Sequence, residues 1–135
     1  MNFKEKLGNY TWTFLNKYVE FKYFEINIFF SILDEIYNNY PCKMCKTNFR
    51  YLLSTGKIPD YRTYCINKRS SKMYVWLTHH IVNKNIGKKR QVSLNEYYTT
   101  SKNGCINNIS SFYVDNENDV RIKTWLDKLY KIINK

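Results

Sequence analysis

The spacing of apolar residues constrains this chain more than any other feature, because it keeps a helical period in five separate stretches and alternates convincingly in none. Between Tyr10 and Val19, the positions Trp12, Leu15, Asn16 and Val19 fall at i, i+3, i+4 and i+7, and Gly8 lies four residues before Trp12 on the same face. From Tyr23 to Tyr37, a stripe of Phe24, Ile28, Phe29, Ile32, Leu33 and Ile36 fills one helix face. Ile26, Phe30, Tyr23 and Tyr37 are left over as a second apolar surface. Such a surface usually marks an interface, so a homodimer is expected.

Pro41 stops that helix and opens the next, since proline is best tolerated in a first turn. Cys42 and Cys45 sit in that turn, followed by Phe49, Leu52 and Leu53 at core spacing and by Gly56 and Pro59 as terminators. A polar loop holding Cys65 follows. Ser70 or Ser71 then caps a helix from about Lys72 to Ile86, which carries Val75, His79, Val82, Asn83 and Ile86 on one face and stops at Gly87. Ser93 and Glu96 have capping-box spacing at the head of a short helix ending near Tyr98. Thr99 to Asn118 reads as turns, apart from Phe112, Tyr113 and Val114. Asp119 to Ile133 carries a last stripe of Ile122, Trp125, Leu126, Leu129, Ile132 and Ile133. The expected fold is all-α: a four-helix bundle over residues 1–98 with an additional short helix, and a C-terminal helix in an extension, 99–135, packed on the same domain.

Lys and Arg number 22 against 11 Asp and Glu, a net charge of +11 that by itself suggests affinity for nucleic acid. Yet the chain contains no Ala and is crowded with Asn, Lys, Ile and Tyr, so A/T-rich codons account for part of the lysine excess. The basic residues are scattered along every segment, with Lys88-Lys89-Arg90 the only tight cluster. Nucleic acid is therefore not the expected partner. No run of eighteen apolar residues or secretory signal is present, so neither a membrane nor export is expected. The composition favours a virus-encoded protein of the cytoplasm or virion.

Cys42-Lys43-Met44-Cys45 is the most informative tetrapeptide. Three readings compete: two buried reduced cysteines, half of a zinc site, or a redox pair. Zinc needs four ligands, and no second CxxC or spaced His pair accompanies this one. The redox reading has a direct rationale, because a thiolate at a helix N-terminus is stabilised by unpaired N–H groups and the helix dipole. In thioredoxins the motif follows a β-strand, whereas residues 23–40 here read as helix. Cys65 and Cys105 are left to pair as a staple, to shuttle electrons or to stay free.

Three blocks give the chain a specific resemblance. Gly8-Asn9-Tyr10-Thr11-Trp12-Thr13-Phe14-Leu15-Asn16 resembles G-x-x-x-W-x-x-L-H of the Erv/ALR family of FAD-linked sulfhydryl oxidases. Tyr40-Pro41-Cys42-Lys43-Met44-Cys45 resembles its (F/Y)-P-C-x-x-C. His79-His80-Ile81-Val82-Asn83-Lys84-Asn85-Ile86-Gly87-Lys88 resembles H-N-x-V-N-x-x-L-G-K. Residues 7 to about 98 are covered in the family's order and near its spacing, the chain most resembles the short forms found in large DNA viruses, and Ser93 to Tyr97 is similar to their closing helix.

The resemblance implies that residues 1–98 bind FAD and that the protein is an oxidase forming disulfides in protein substrates, with electrons passed to O2 to give H2O2. Cys42 would take the substrate thiol, as the sulfur nearer the helix end and the more exposed, and Cys45 would face the flavin. Gly8, Trp12, Asn16, His79, His80, Val82, Asn83, Lys88 and Tyr97 would line the cofactor, trapped as a planar group between two helix faces. The implied partners are a thiol protein, such as a thioredoxin-like or viral relay protein, and a second copy of the chain. The sequence departs from the family at Leu7, Asn16 and His80, where Trp, His and Asn are usual. The family's C-x16-C disulfide is replaced by Trp76 and Ser93. Two rival readings are a basic helical module that binds nucleic acid or an acidic partner, and a non-catalytic family member kept as a scaffold.

Overall fold

Asn2 sets the start of the first helix. In the computed structural model, which describes residues 2–87, 93–100, 106–112 and 117–134, its side chain accepts the Glu5 amide at 2.9 Å. That bond caps α1 (Phe3–Val19) by satisfying one of the donors a helix leaves open at its N-terminus. The helix begins two turns before Tyr10, so Gly8 is interior to it. Leu7, Phe14, Leu15, Tyr18 and Val19 are its buried face.

α2 (Ile26–Asn39) buries Phe29, Ile32, Leu33, Ile36 and Tyr37, and α3 (Lys43–Ser54) folds back along it. The rings of Tyr37 and Tyr40 meet Phe49 at 6.3 and 5.1 Å. Gly56, at φ 77°, supplies the left-handed residue that ends α3. A single turn, α4 (Tyr61–Tyr64), is capped by Asp60 inside the segment expected to be a loop.

α5 (Lys68–Asn85) starts four residues earlier than its stripe suggested. Asn67, not Ser70 or Ser71, is the cap. Asn67 accepts the Ser70 amide at 2.9 Å and Ser70 Oγ accepts the Asn67 amide at 3.1 Å, a reciprocal pair that satisfies two donors at once. α5 runs antiparallel to α1, with His79 beside Trp12 at one end and Lys72 beside Glu20 at the other. Lys72 is 1% exposed, bonds Glu20 at 2.7 Å, and lies under the rings of Tyr97 and Tyr98. Those tyrosines belong to α6 (Leu94–Thr100), which Ser93 caps by accepting the Glu96 amide at 3.1 Å.

The extension is more structured than its polar sequence suggested. Ile106 makes an isolated parallel bridge to Phe21. A 3-10 turn over Ile109–Phe112 sets Phe112 against Phe14, Tyr18 and Phe21. α7 (Val120–Ile133) lies across α1 and α2. Its Trp125 Nε1 donates to Thr11 Oγ1 at 3.0 Å, and its indole ring meets Tyr40 edge-on at 5.5 Å. The architecture is all-α, with α1, α2, α3 and α5 as the bundle. Among the described residues no helix is long and apolar enough to cross a membrane.

The second apolar surface expected on α2 is largely consumed within the chain. Tyr37 is 7% exposed, and Phe30 is half-buried against Tyr61 and beneath the Arg62 guanidinium. Ile26 is half-buried, and only Tyr23, which precedes the helix, is 62% exposed. Of that surface, Phe30 and Tyr37 thus pack against Tyr61 of α4, and Tyr23 stays exposed.

Candidate functional site

The turn between α2 and α3 carries the two cysteines. Cys42 is the N-cap of α3, one position outside the helix, and its Sγ accepts the Cys45 amide at 3.2 Å. Cys45, three residues on, closes a disulfide with it. The expected exposures are reversed: Cys42 is 8% exposed and Cys45 is half-buried. A capping side chain turns back toward the helix N-terminus, and here that direction is inward.

Cys45 forms part of the wall of a cleft of about 520 Å³, together with Gly8, Trp12, Tyr40, Asn48, Phe49, His79, Val82 and Asn83. α1 supplies Gly8 and Trp12, α3 supplies Cys45, Asn48 and Phe49, and α5 supplies the rest apart from Tyr40. Asn85 Nδ2 donates to Asn48 Oδ1 at 2.9 Å and ties α5 to α3. A smaller void of about 30 Å³ lies deeper in the bundle and shares Trp12, Tyr40, Phe49 and Val82 with the cleft. Tyr40 is buried there, which pushes its phenol up to about 12 and keeps it neutral.

Trp12 and His79 are stacked on each other, with ring centroids 4.1 Å apart and planes 8° from parallel. The expectation of a planar group trapped between these two helix faces is therefore not met, since two stacking contacts need about 7–8 Å between rings. The pair instead forms one aromatic platform in the cleft wall.

Gly8 has no packing role that requires glycine. A Cβ built there meets no protein atom within 4 Å, yet glycine inside a helix costs about 0.5–1 kcal/mol relative to alanine. The open space beside it belongs to the cleft.

Other expected contacts lie elsewhere. Asn16 accepts the Tyr97 hydroxyl at 2.8 Å, and neither residue is among those lining the cleft. His80 projects from α5 about 100° from His79 and stacks on Trp76 at 5.2 Å, away from the cleft. Lys88 and Cys105 lie outside the described residues. Cys65 is a free thiol, 2% exposed, and burial pushes its pKa up to about 12. It is thus protonated at neutral pH and shielded from exchange. Among the described residues, no group of three or more His, Cys, Asp or Glu is placed to hold a metal ion.

Asn48, Asn85 and Tyr40 were not singled out as site residues from sequence. Asn48 follows Cys45 by three positions, and that helical spacing was the available signal.

The donor set fits a flavin. A stacked aromatic pair offers an apolar platform, the amides of Asn48, Asn83 and Asn85 can both donate and accept, and a cleft of this size suits a ring system of that kind. Comparison of the chain with protein-family models, with curated proteins and with solved structures returned no match.

Proposed function

We propose that the protein is an FAD-dependent sulfhydryl oxidase that forms disulfides in thiol substrates. One observation carries the reading: the Cys42–Cys45 disulfide caps a helix, and its Cys45 stands in the wall of a cleft that also holds Gly8, Asn83 and the Trp12–His79 pair.

When bound, FAD supplies a two-electron acceptor that passes the pair on to O2, giving H2O2. Cys45 lines the cleft that would hold the cofactor, which leaves Cys42, 8% exposed in this structure, as the sulfur a substrate must uncover to attack. A substrate thiolate attacks Cys42 Sγ, the disulfide breaks, and Cys45 leaves as a thiolate. The unpaired N–H groups and dipole at the start of α3 stabilise that charge. The second substrate thiolate then attacks the mixed disulfide, releases the substrate as a disulfide and leaves Cys42 reduced. The electron pair lost by the substrate now resides on the dithiol, beside the cleft. His79 and Trp12 would provide the aromatic platform, and Asn83 and Asn48 the amide contacts, that hold the cofactor in the cleft.

The test is a visible spectrum of the purified protein before and after incubation with FAD, with oxygen uptake during turnover of dithiothreitol. The expected result is a retained flavin band and H2O2 production that Cys45→Ser abolishes. A colourless protein that does not retain added FAD overturns the proposal in favour of a basic binding module or a scaffold.

A further inference from the structure

Behind the wall of the cleft, among α1, α2 and α5, lies the void of about 30 Å³. One water needs only about 10–15 Å³ of such space, so this void admits a small molecule, and well-packed interiors hold few of that size. Trp12, Tyr40, Phe49 and Val82 border both the void and the cleft. Side chains common to the two walls are thus what separates a guest in the void from the cleft.

The lining selects against water. Leu15, Leu33, Ile36 and Ile58 are buried and offer only hydrocarbon. The hydroxyls at the wall are already engaged within the chain. Thr11 Oγ1 donates to the Leu7 carbonyl at 2.7 Å and accepts the Trp125 indole N–H at 3.0 Å. Thr78 Oγ1 donates to the Tyr74 carbonyl at 2.9 Å, the Tyr37 and Tyr74 hydroxyls pair at 3.2 Å, and Tyr40 bonds Thr11. A buried water makes about two to four hydrogen bonds, whereas a space lined by hydrocarbon stays dry and takes an apolar guest. The same lining separates O2, which demands no hydrogen bond, from H2O2, whose O–H groups would be buried without partners.

We propose that this void is a dioxygen site, holding O2 beside the cleft for reoxidation of the bound cofactor. The inference rests on the oxidase reading and adds to it the place where the electron acceptor waits. O2 accepts the electron pair that the substrate dithiol gave up, takes up two protons and leaves as H2O2, so no further oxidant is required. The polar product is not retained by such a lining and does not compete for the site.

Xenon is the probe, because it is apolar and its binding needs neither FAD nor turnover. Carbon–proton NMR spectra of the methyl groups, recorded on the full chain under rising xenon pressure, are expected to shift and saturate at Leu15, Leu33, Ile36, Ile58 and Val82. Thr78→Val removes the hydroxyl at constant shape and should keep those shifts. Thr78→Ile adds one methyl group to the same wall and should lose them. Ile58→Val enlarges the void and should bind xenon more tightly, with circular dichroism establishing that all three variants are folded. In stopped flow, the second-order rate constant for reoxidation by O2 should fall about tenfold in Thr78→Ile relative to Thr78→Val, through loss of the held reactant, while anaerobic reduction by dithiothreitol is unchanged. Xenon shifts that are absent, or spread evenly over the core, overturn the proposal, and so does reoxidation of Thr78→Ile as fast as that of Thr78→Val. An active oxidase that binds no xenon overturns this proposal alone. A protein that binds xenon but neither retains FAD nor oxidises dithiothreitol overturns the oxidase reading, and the dioxygen role with it.

Discussion

Gly8→Ala should change stability in opposite directions with and without FAD. In the cofactor-free protein the added methyl meets no protein atom within 4 Å, so only the helix term acts, and alanine gains about 0.5–1 kcal/mol. With unfolding entropy near 2.1 cal/mol/K per residue, a chain of 135 residues melts about 2–4 °C higher for that gain. With FAD present the same methyl stands in the cleft where the ring must approach. A tenfold loss of affinity removes about 1.4 kcal/mol of ligand stabilisation. That exceeds the helix gain, so the loaded variant melts about 1–3 °C below the loaded parent. Differential scanning fluorimetry with and without saturating FAD, beside a flavin titration, reads both numbers. A variant that melts higher in both states and binds FAD as the parent does would refute the assignment of Gly8 to the cofactor. One that melts lower without FAD would refute the open space described beside it.

Three further outcomes follow from the same geometry. His79→Ala and Asn83→Ala should each lower FAD occupancy of the purified protein well below that of Lys84→Ala, because the first two line the cleft and Lys84 is exposed outside it; equal losses in absorbance ratio would contradict the site. Trp125→Phe removes the indole donor to Thr11 and should cost about 1–2 kcal/mol in urea unfolding, while Trp125→Ala should cost about 3–5 kcal/mol; an unchanged midpoint for both would deny α7 its bracing role. Glu117 accepts the Asp119 amide and Lys6 and bonds Tyr10, which holds its carboxyl down at about 2. A depressed carboxyl contributes stability above its unfolded pKa and loses it as pH falls, so urea midpoints should drop between about pH 5 and pH 2. Glu117→Gln should flatten that drop, and identical slopes for parent and variant would count against it.

Periodicity made five of the helices legible, because α1, α2, α5 and α7 each bury a stripe whose spacing is set by the helix itself and α3 sets Phe49, Leu52 and Leu53 toward the core at the same spacing. Gly56 and Gly87, at φ 77° and 81°, were legible as stops for an equally local reason. The Asn67 cap was not, since the Asn67–Ser70 pair competes with a nearer and more conventional serine. α4 was invisible because one turn has too few residues to show a period. The sequence put Trp12 on one helix face and His79, Val82 and Asn83 on another, and all four line one cleft with Cys45. Asn16 and His80 do not, because a stripe about 100° wide contains positions at its edges whose direction depends on the neighbouring helix. The inward turn of Cys42 and the closed Trp12–His79 stack depend on packing between elements, which spacing along one element does not encode.

The bond between Thr11 and Trp125 joins positions 114 residues apart, and that separation has a consequence for how the protein is born. The chain is made from its N-terminus, so the cysteine pair emerges roughly 80 residues before the indole that braces Tyr40. At about 5–20 residues per second, the interval is roughly 4–16 s. Throughout it, the nascent chain carries the cysteine pair on a turn that still lacks the contact of Tyr40 with Trp125. Whatever oxidants or chaperones stand near the ribosome meet the pair before that contact forms. The order of synthesis thus leaves the contact between α1 and α7, and with it the full packing around Tyr40, to residues made after α1, α2, α3 and α5.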